Sequence, residues 1–455
     1  MDGGREKKRL IRLSGLPPCL SNTARALEGL GAEDADERIL KAALADARET
    51  LAGVFRALLS DLEADGTVRE RPVQVLTCAG WVKAAYPYAP GKVTGRDAVR
   101  RLCGEEQAVR TKTAGGGSRG LPKATRGARR RAAEAVAALG SADEAQRFLS
   151  ETGGMSAGRE TERKIALEAG RRTQEAALEG RLEAEPRGGW TPPPGAVAVT
   201  PTLVMSVDGK GFGCTGKDLK GRRGRGGGAA RTRTANVMCF RRYRHVDAKG
   251  RPIFEPRVAR YHVTGAGGMT LGEEMYAVAV QEGLLTMPRA EFVTDGEPEL
   301  ECIYQDFFAR NLPVKVVRVL DAMHACGYVD TLAKALEKDE GKAAKRSEQL
   351  RRRLVNAGWE GFLKSFHRVF GAEAELRLDG DGSKAWDYLW KRREQMDYRR
   401  LRRRHLVIGS GMVESACKLL IGTRLTGPGM HWRFANGVRI AMLRAAMRSR
   451  LKIAA

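Results

Sequence analysis

The sequence predicts an α/β protein: a mixed sheet with helices on both faces in the C-terminal half, preceded by mainly helical N-terminal domains. Three observations carry this reading. Apolar strand-like runs alternate with helical stretches beyond residue 197, helical periodicity dominates residues 33–64 and 128–182, and a Pro/Gly-rich "EPRGGWTPPPG" (185–195) separates the two textures. The divisions that follow are 1–110 (helical with a small β element), 111–190 (linker and helices) and 197–455 (sheet domain). At 455 residues the chain exceeds one compact core, and 42% hydrophobic residues are enough to build more than one.

In residues 33–64, Leu40, Leu44, Ala47, Leu51, Val54, Leu58 and Leu62 recur every three or four positions, as one buried face of a helix requires, and "ADG" closes the run. "RERPVQVLTCAGWVKAAYPYAPGKV" alternates and carries aromatics, so a small β element follows. "TKTAGGGSRGLPKATRG" (111–127) reads as a flexible basic linker. Beyond it, "SADEAQRFLSETGGMSAGRETERKIALEAG" reads as helix, Gly-containing turn, helix. Ser141 and Glu144 stand at the spacing of a capping box. A helix-turn-helix suggests DNA contact, although many small bundles share the pattern.

The sheet half begins with "VAVTPTLVMSVDGKG", an apolar strand running into Asp208, then a Gly/Arg loop and two strand-like runs, "NVMCFRRYRHV" and "RVARYHVTG". A helix near 271–285 leads to "AEFVTDGEPEL", a strand ending at Asp295, and a further helix to "PVKVVRVLDAMHACGYV", a strand ending at Asp321. The order β-β-β-α-β-α-β-α, antiparallel first and then entered through helices, is the RNase H-like arrangement. Residues 330–400, with Trp359, Phe362, Phe366, Trp386, Tyr388 and Trp390, read as a helical insertion before Glu414.

Lys and Arg number 80 against 55 Asp and Glu, a net charge of +25, which suits a polyanion held through its phosphates; ribosomal association or a generally basic proteome would leave the same mark. No apolar stretch approaches the ~20 residues needed to span a bilayer. The N-terminus "MDGGREKKRLIRL" lacks a signal-peptide core, so a cytoplasmic, nucleoid-associated protein is expected. Cys19, Cys78, Cys103, Cys214, Cys239, Cys302, Cys326 and Cys417 are scattered without a CxxC, which argues against a disulfide framework and a thiolate zinc site.

Asp208 and Asp295 each close an apolar strand and precede a glycine. Glu414 opens a helix in "LVIGSGMVESACKLLIGTRLTGPGMHWR" (406–433). The spacings are 295 − 208 = 87 and 414 − 295 = 119, the second lengthened by the insertion. If the strands are neighbours, three hard oxygen donors meet at one end of the sheet. That set suits two Mg²⁺ ions, with Mn²⁺ as substitute, clamping a phosphodiester. Singly, "VDG" and "TDG" are also ordinary strand-to-turn sequences, and Glu414 is also a favourable acid for a helix's first turn. The glycines around Ser410 would let the chain turn sharply so that the helix starts at the sheet edge, packed by Leu419 and Leu420. Asp321 and His324 make an Asp-x-x-His just after the fifth strand.

"SVDGKG", "FVTDGEPEL", "VLDAMHACGYVDTLAKAL" and "IGSGMVESACKLLIGTRLTGPGMHWR" together resemble the DDE transposases of bacterial insertion sequences, closest to the ISKra type. Mutator-like, hAT and Transib transposases are more distantly similar. The resemblance implies Asp208, Asp295 and Glu414 as catalytic triad and metal ligands, and Asp321 with His324 as a supporting pair. Asp321 is an alternative second ligand, because it too ends a strand. It further implies binding to double-stranded transposon ends and target DNA, strand cleavage and strand transfer, and a homodimer or higher oligomer on DNA. A stand-alone RNase H-like nuclease or a non-catalytic DNA-binding remnant are the alternatives. Relatives often carry paired cysteines in the N-terminal domain, where this chain keeps a single Cys78, so a zinc module is not expected. For DNA contact the candidates are Arg222, Arg223 and Arg225 in the Gly/Arg loop 217–233, expected to order only on a phosphate backbone. Lys418, Arg424, Arg433 and a base-stacking Trp432 join them, and Trp432 reads equally well as core.

Overall fold

A computed structural model describes residues 35–60, 69–88, 124–155, 157–185, 189–224, 227–256, 259–310 and 312–454. The chain divides into two compact units, residues 1–169 and 170–454. The charged N-terminal stretch and most of the expected 111–127 linker lie outside the described residues. Among the described residues, no helix is long and apolar enough to cross a membrane.

The first unit contains α1 (Ala35–Ser60), the hairpin β1 (Arg69–Thr77) and β2 (Gly80–Tyr88), α2 (Arg126–Ala138), α3 (Ala142–Gly153) and the start of α4 (Arg159–Leu178). Leu44, Ala47, Leu51 and Val54 of the expected leucine face of α1 are half-buried, and its Arg48 donates to the carbonyls of Ala79 in the hairpin turn and Gly154 after α3. The capping box forms with a one-residue shift. Ser141 Oγ accepts the Glu144 N–H at 3.0 Å, while the Glu144 carboxylate takes the N–H of Gly140 at 2.9 Å. Gly154 ends α3 at φ 61°, a left-handed cap that a side chain would strain, and α4 begins five residues later.

The second unit is built on a six-stranded mixed sheet: β3 (Val197–Gly213), β4 (Thr232–Val246), β5 (Pro252–Phe254), β6 (Arg260–Thr264), β7 (Arg289–Thr294) and β8 (Val316–Leu320). The order is β5-β4-β3-β7-β8, with β6 also on β4. β3, β4, β5 and β6 pair antiparallel, while β7 and β8 join in parallel. The third strand expected from "RVARYHVTG" forms as β6, and β5 is a further short strand in the segment before it; Pro256, which has no N–H for the ladder, stands between them. The β3 run Leu203–Val207 is buried on both faces, which explains an unbroken apolar stretch where alternation would mark a half-exposed strand.

Helices cover both faces. On one, α5 (Gly268–Gln281) and α6 (Pro298–Ile303) pack Leu271, Met275, Val278 and Leu300 against Met205, Val207 and Phe292. On the other lie α7 (Ala322–Leu336), α8 (Glu340–Phe370), α9 (Gly380–Lys391) and α10 (Tyr398–Arg403), which make up the expected helical insertion. Its aromatic residues form a core: Trp359, Phe362, Phe366 and Trp386 have ring centroids 5.1–5.9 Å apart along the chain of contacts. The segment then returns over the sheet into α11 (Gly411–Cys417), and α12 (Phe434–Arg448) closes the unit.

Glu291, fully buried on the insertion face of β7, accepts the Tyr243 hydroxyl at 2.7 Å and the Val407 N–H at 2.8 Å, so it ties the returning segment to the sheet. Burial raises its pKa to about 7, against the lowering effect of those two bonds. A carboxyl raised from 4.5 to about 7 favours the protonated fold, so its contribution is complete below pH 4.5 and falls as pH rises through 7. Glu291→Gln should therefore destabilise the protein more at pH 5 than at pH 8 in urea unfolding. An equal cost at both pH values would show that Glu291 does not titrate in this window.

Candidate active site

The register of the parallel strands fixes where the acids stand. Every β3–β7 pair is offset by 87, from Thr202↔Arg289 to Ser206↔Val293, and the same offset carries Asp208 onto Asp295. Every β7–β8 pair is offset by 26, ending at Thr294↔Leu320, and carries Asp295 onto Asp321. The three aspartates are thus level across adjacent strands, just past the last parallel pair. Alternation sends Val204, Val293 and Val319 to the insertion face, and Asp208, Asp295 and Asp321 follow at even spacing on that face.

Their surroundings then separate them. Asp208 is half-buried, and its Oδ1 accepts the N–H of Gly209 at 2.7 Å. Burial raises its pKa, and the charge of Asp295 adds to the rise against the Gly209 bond, the Cys417 thiol and Lys210. Asp295 is also half-buried and accepts the Glu297 N–H at 3.1 Å. Both acids therefore make the turn-capping bonds that the bland reading assigned them, and both keep exposed surface.

Glu414 stands in the first turn of α11, exposed, where the Ser410 hydroxyl donates to its Oε1 at 3.3 Å. It lines a cleft of about 630 Å³ together with Asp208, Lys210, Cys417, Lys418 and Thr426. Asp295 lies outside that lining, where the Tyr388 hydroxyl donates to its carbonyl and Arg392 donates to that of Gly296. Gly296 has φ 79°, and a Cβ there would stand 2.5 Å from the Tyr388 hydroxyl, so only glycine fits.

Asp321 is different in kind. It is 1% exposed, caps α7 through Oδ1 on the His324 N–H at 2.6 Å, and takes the Ser410 N–H on Oδ2. Ala322 N–H to Ile408 O at 2.9 Å completes the join. With each oxygen committed to a buried amide, Asp321 is a clasp between the end of β8 and the start of α11. Between the two candidate second ligands, the half-exposed carboxylate is Asp295.

This clasp replaces the expected role of the glycines. Neither Gly409 nor Gly411 has a positive φ; a Cβ at Gly409 meets only Asp321 Oδ2 at ordinary contact, and one at Gly411 meets nothing within 4 Å. The turn is made by Asp321 pulling in the Ser410 amide. Leu420 packs as expected, but Leu419 is 40% exposed, because the helix widens to a π turn at Lys418–Gly422 and re-phases its faces. His324 is exposed; its ring meets those of Tyr328 and Tyr388 at 5.4 and 6.0 Å.

The basic candidates scatter. β3 and β4 stay paired past Asp208 as far as Gly213↔Thr232, a two-stranded arm whose tip is the Gly/Arg loop. The described residues of that loop hold backbone bonds, Ala230 N–H to Arg222 O at 3.1 Å and Gly224 N–H to Gly228 O at 2.8 Å. Arg222 and Arg223 are exposed on it, and Arg225 lies outside the described residues. Lys418 is exposed at the acid cleft. Arg424 is 4% exposed with its guanidinium 5.1 Å from the Trp432 ring centre, a packed pair and not an open phosphate contact. The backbone of Trp432 is stitched to the end of β3 through Trp432 N–H to Gly213 O (2.9 Å) and Thr215 N–H to Trp432 O (3.0 Å). Arg433 pairs with Asp218 at 2.9 Å. Residues 128–182 hold ten Lys or Arg against nine Asp or Glu, and Arg159, Arg163 and Arg171 are paired to acids. The helix-turn-helix is therefore close to neutral.

Four neighbours of the site were missed from sequence. Lys210 and Cys417 could have been found, two residues after Asp208 and three after Glu414 on the same helix. Tyr388 and Arg392 carried no local signal. For a metal, Asp208 and Asp295 offer hard oxygens at one level, and their mutual repulsion is what a cation would relieve. Among the described residues no three carboxylate, imidazole or thiol groups are close enough to ring one ion: Asp208 and Glu414 line an open cleft, and Asp295 stands outside that lining. No family model matches the chain, and no curated protein matches it.

The division between clasp and cleft is measurable. Asp321→Ala leaves two buried amides without acceptors and should cost on the order of 2–4 kcal/mol in denaturant unfolding. Asp295→Asn removes a charge facing Asp208, so its stability should equal or exceed the parent's. The reverse ranking would exchange the roles of the two aspartates.

Proposed function

We propose that the chain is a DNA transposase with an RNase H-like catalytic domain, which binds the terminal inverted repeats of its element and breaks and joins DNA strands by phosphoryl transfer. The observation that carries this reading is the register that levels Asp208 with Asp295 on one face while Glu414 lines the cleft beside Asp208. The strand order supports the fold assignment: renumbered from β3, with β5 and β6 as one strand, it runs 3-2-1-4-5, antiparallel through the first three. The net charge of +25 supports a polyanionic partner.

In this reading Asp208, Asp295 and Glu414 hold Mg²⁺ or Mn²⁺. When bound, two such cations supply charge neutralisation to the scissile phosphate and to the attacking and leaving oxygens. Lys210 and Lys418, on the two walls of the cleft, draw the strand in by its phosphates. A water oxygen attacks phosphorus, giving up a proton, and a 3′-oxygen leaves and is protonated; that 3′-hydroxyl then loses its proton as it attacks a target phosphorus, breaking the bond to the target's 3′-oxygen, which leaves and is protonated. Arg222, Arg223 and Arg225 at the tip of the β3–β4 arm reach along the backbone of duplex DNA. Binding of two ends by a homodimer or higher oligomer follows from the need to join them.

The test uses duplexes taken from the inverted repeats flanking the gene. Glu414→Gln should cut on the order of 10³-fold more slowly while still binding the repeat, and excess EDTA should abolish cutting. A folded Glu414→Gln protein that cuts at the parent rate overturns the proposal. Cleavage without strand transfer points instead to a stand-alone nuclease. Affinity should also fall steeply and linearly on a log–log plot against salt; a flat plot would remove the phosphate contacts from the account.

A further inference from the structure

At the opposite end of β8 from the acids, a cavity of about 1020 Å³ opens where that edge strand meets the helical insertion. This is at the upper end of the ~300–1,000 Å³ range typical of small-ligand sites. Arg318 of β8 lines it. Its side chain is 8% exposed and pairs with Glu301 through Nη1, yet among the described residues its Nε and Nη2 are buried without a hydrogen-bond partner. Gln395, on the other wall, has its amide oxygen buried and equally unpartnered. Two orphaned polar groups facing one cavity are costly unless something binds them, roughly 1–3 kcal/mol each and more for a charged group.

The remaining lining narrows what that something is. Lys315, Arg318, Lys391, Arg393, Arg400 and Arg404 line the cavity against Glu301, Glu360, Glu394 and Asp397, an excess of two positive charges that favours an anion. Trp390 is 43% exposed at its rim, with the Arg393 guanidinium 4.8 Å from the ring centre, an aromatic and cationic surface suited to a flat ring. We infer that this cavity binds a nucleotide, its phosphate on Arg318 and its base against Trp390 and Arg393, as a free nucleotide or as one unit of a DNA strand. A guanidinium with two free N–H groups on one edge matches a phosphate better than it matches a single neutral acceptor. The site shares no residue with the acid cleft, so it stands or falls apart from the proposed reaction.

Calorimetric titration of the full chain in EDTA, which removes metal-held phosphate at the acids, tests it with adenosine 5′-monophosphate, inorganic phosphate and an unstructured single-stranded oligonucleotide. Saturable binding of the mononucleotide indicates a free-nucleotide site. Binding of the oligonucleotide alone indicates a strand-bound unit. In either case Arg318→Gln, which keeps hydrogen bonding to Glu301 but not the charge, should weaken binding about tenfold or more. Gln395→Glu, which places a carboxylate of the same shape in the cavity, should weaken it in the same direction, and remains informative if Arg318→Gln does not fold. Inorganic phosphate binding as tightly as the nucleotide removes the base from the proposal. Absence of binding, or unchanged binding in both variants, overturns it.

Discussion

The buried Asp321 carboxylate is the point on which the geometry of the acid cleft depends. One oxygen starts α7 by accepting the His324 amide, and the other holds the Ser410 amide, 89 residues on. A carboxylate that accepts backbone N–H groups on both oxygens is among the stronger neutral-to-charged arrangements available inside a protein. Here it closes a long excursion: the chain leaves the sheet at Leu320, builds four helices, and comes back to the same strand end. Without the clasp nothing in the sequence 406–410 would specify where α11 begins, and Glu414 rides on that start. Glu291 adds a second tie one strand over, at Val407. The two buried acids thus pin the returning segment at consecutive turns of its path.

The three level aspartates show how environment divides one residue type into different tasks. Register and alternation treat them alike, placing all three on one face at one height. What differs is what lies above each. Over Asp321 the returning loop descends and supplies an amide, so its charge is spent on structure. Over Asp208 lies the cleft wall formed by α11 and Lys210, so burial and the charge of Asp295 push its protonation upward and leave it short of partners. A carboxylate raised by a like charge is held in a state that a cation, or a phosphate's counter-charges, would relieve. That shortage of partners is the feature the proposed chemistry needs, and it arises from the same packing that satisfies Asp321.

Much of this was legible in the sequence because it depends on short-range rules. The apolar runs ending in Asp-Gly gave the strands, their spacing of 87 anticipated a register the parallel pair adopts, and Ser141 with Glu144 announced a cap that forms. Failures come where distant groups decide. The short strand β5 pairs with β4 in a stretch that carried no strand pattern of its own. Gly409 and Gly411 looked like the cause of a turn that a carboxylate 89 residues away imposes. Arg424 read as an open DNA contact because composition cannot tell that it is buried against the Trp432 ring. Nothing in "VVRVL" marks Arg318 as an arginine with free donors inside a cavity.

The helical insertion does more than lengthen the gap before Glu414. Its aromatic core covers the face from which the aspartates rise, and the far end of α9 delivers Tyr388 and Arg392 to the carbonyls of Asp295 and Gly296. Arg392 also lies over the Tyr388 ring at 3.9 Å, and Tyr388 stacks on Tyr328 of α7 at the same separation, so the turn bearing Asp295 is held by a rigid column of side chains. Gly296 has to be glycine because this column comes so close. The second acid is therefore positioned by the insertion, the third by the segment leaving it, and only Asp208 by the sheet alone. Shortening the helices while leaving every acid in place would still release two of the three. The 119-residue spacing from Asp295 to Glu414 is, in physical terms, part of the site whose acids it separates.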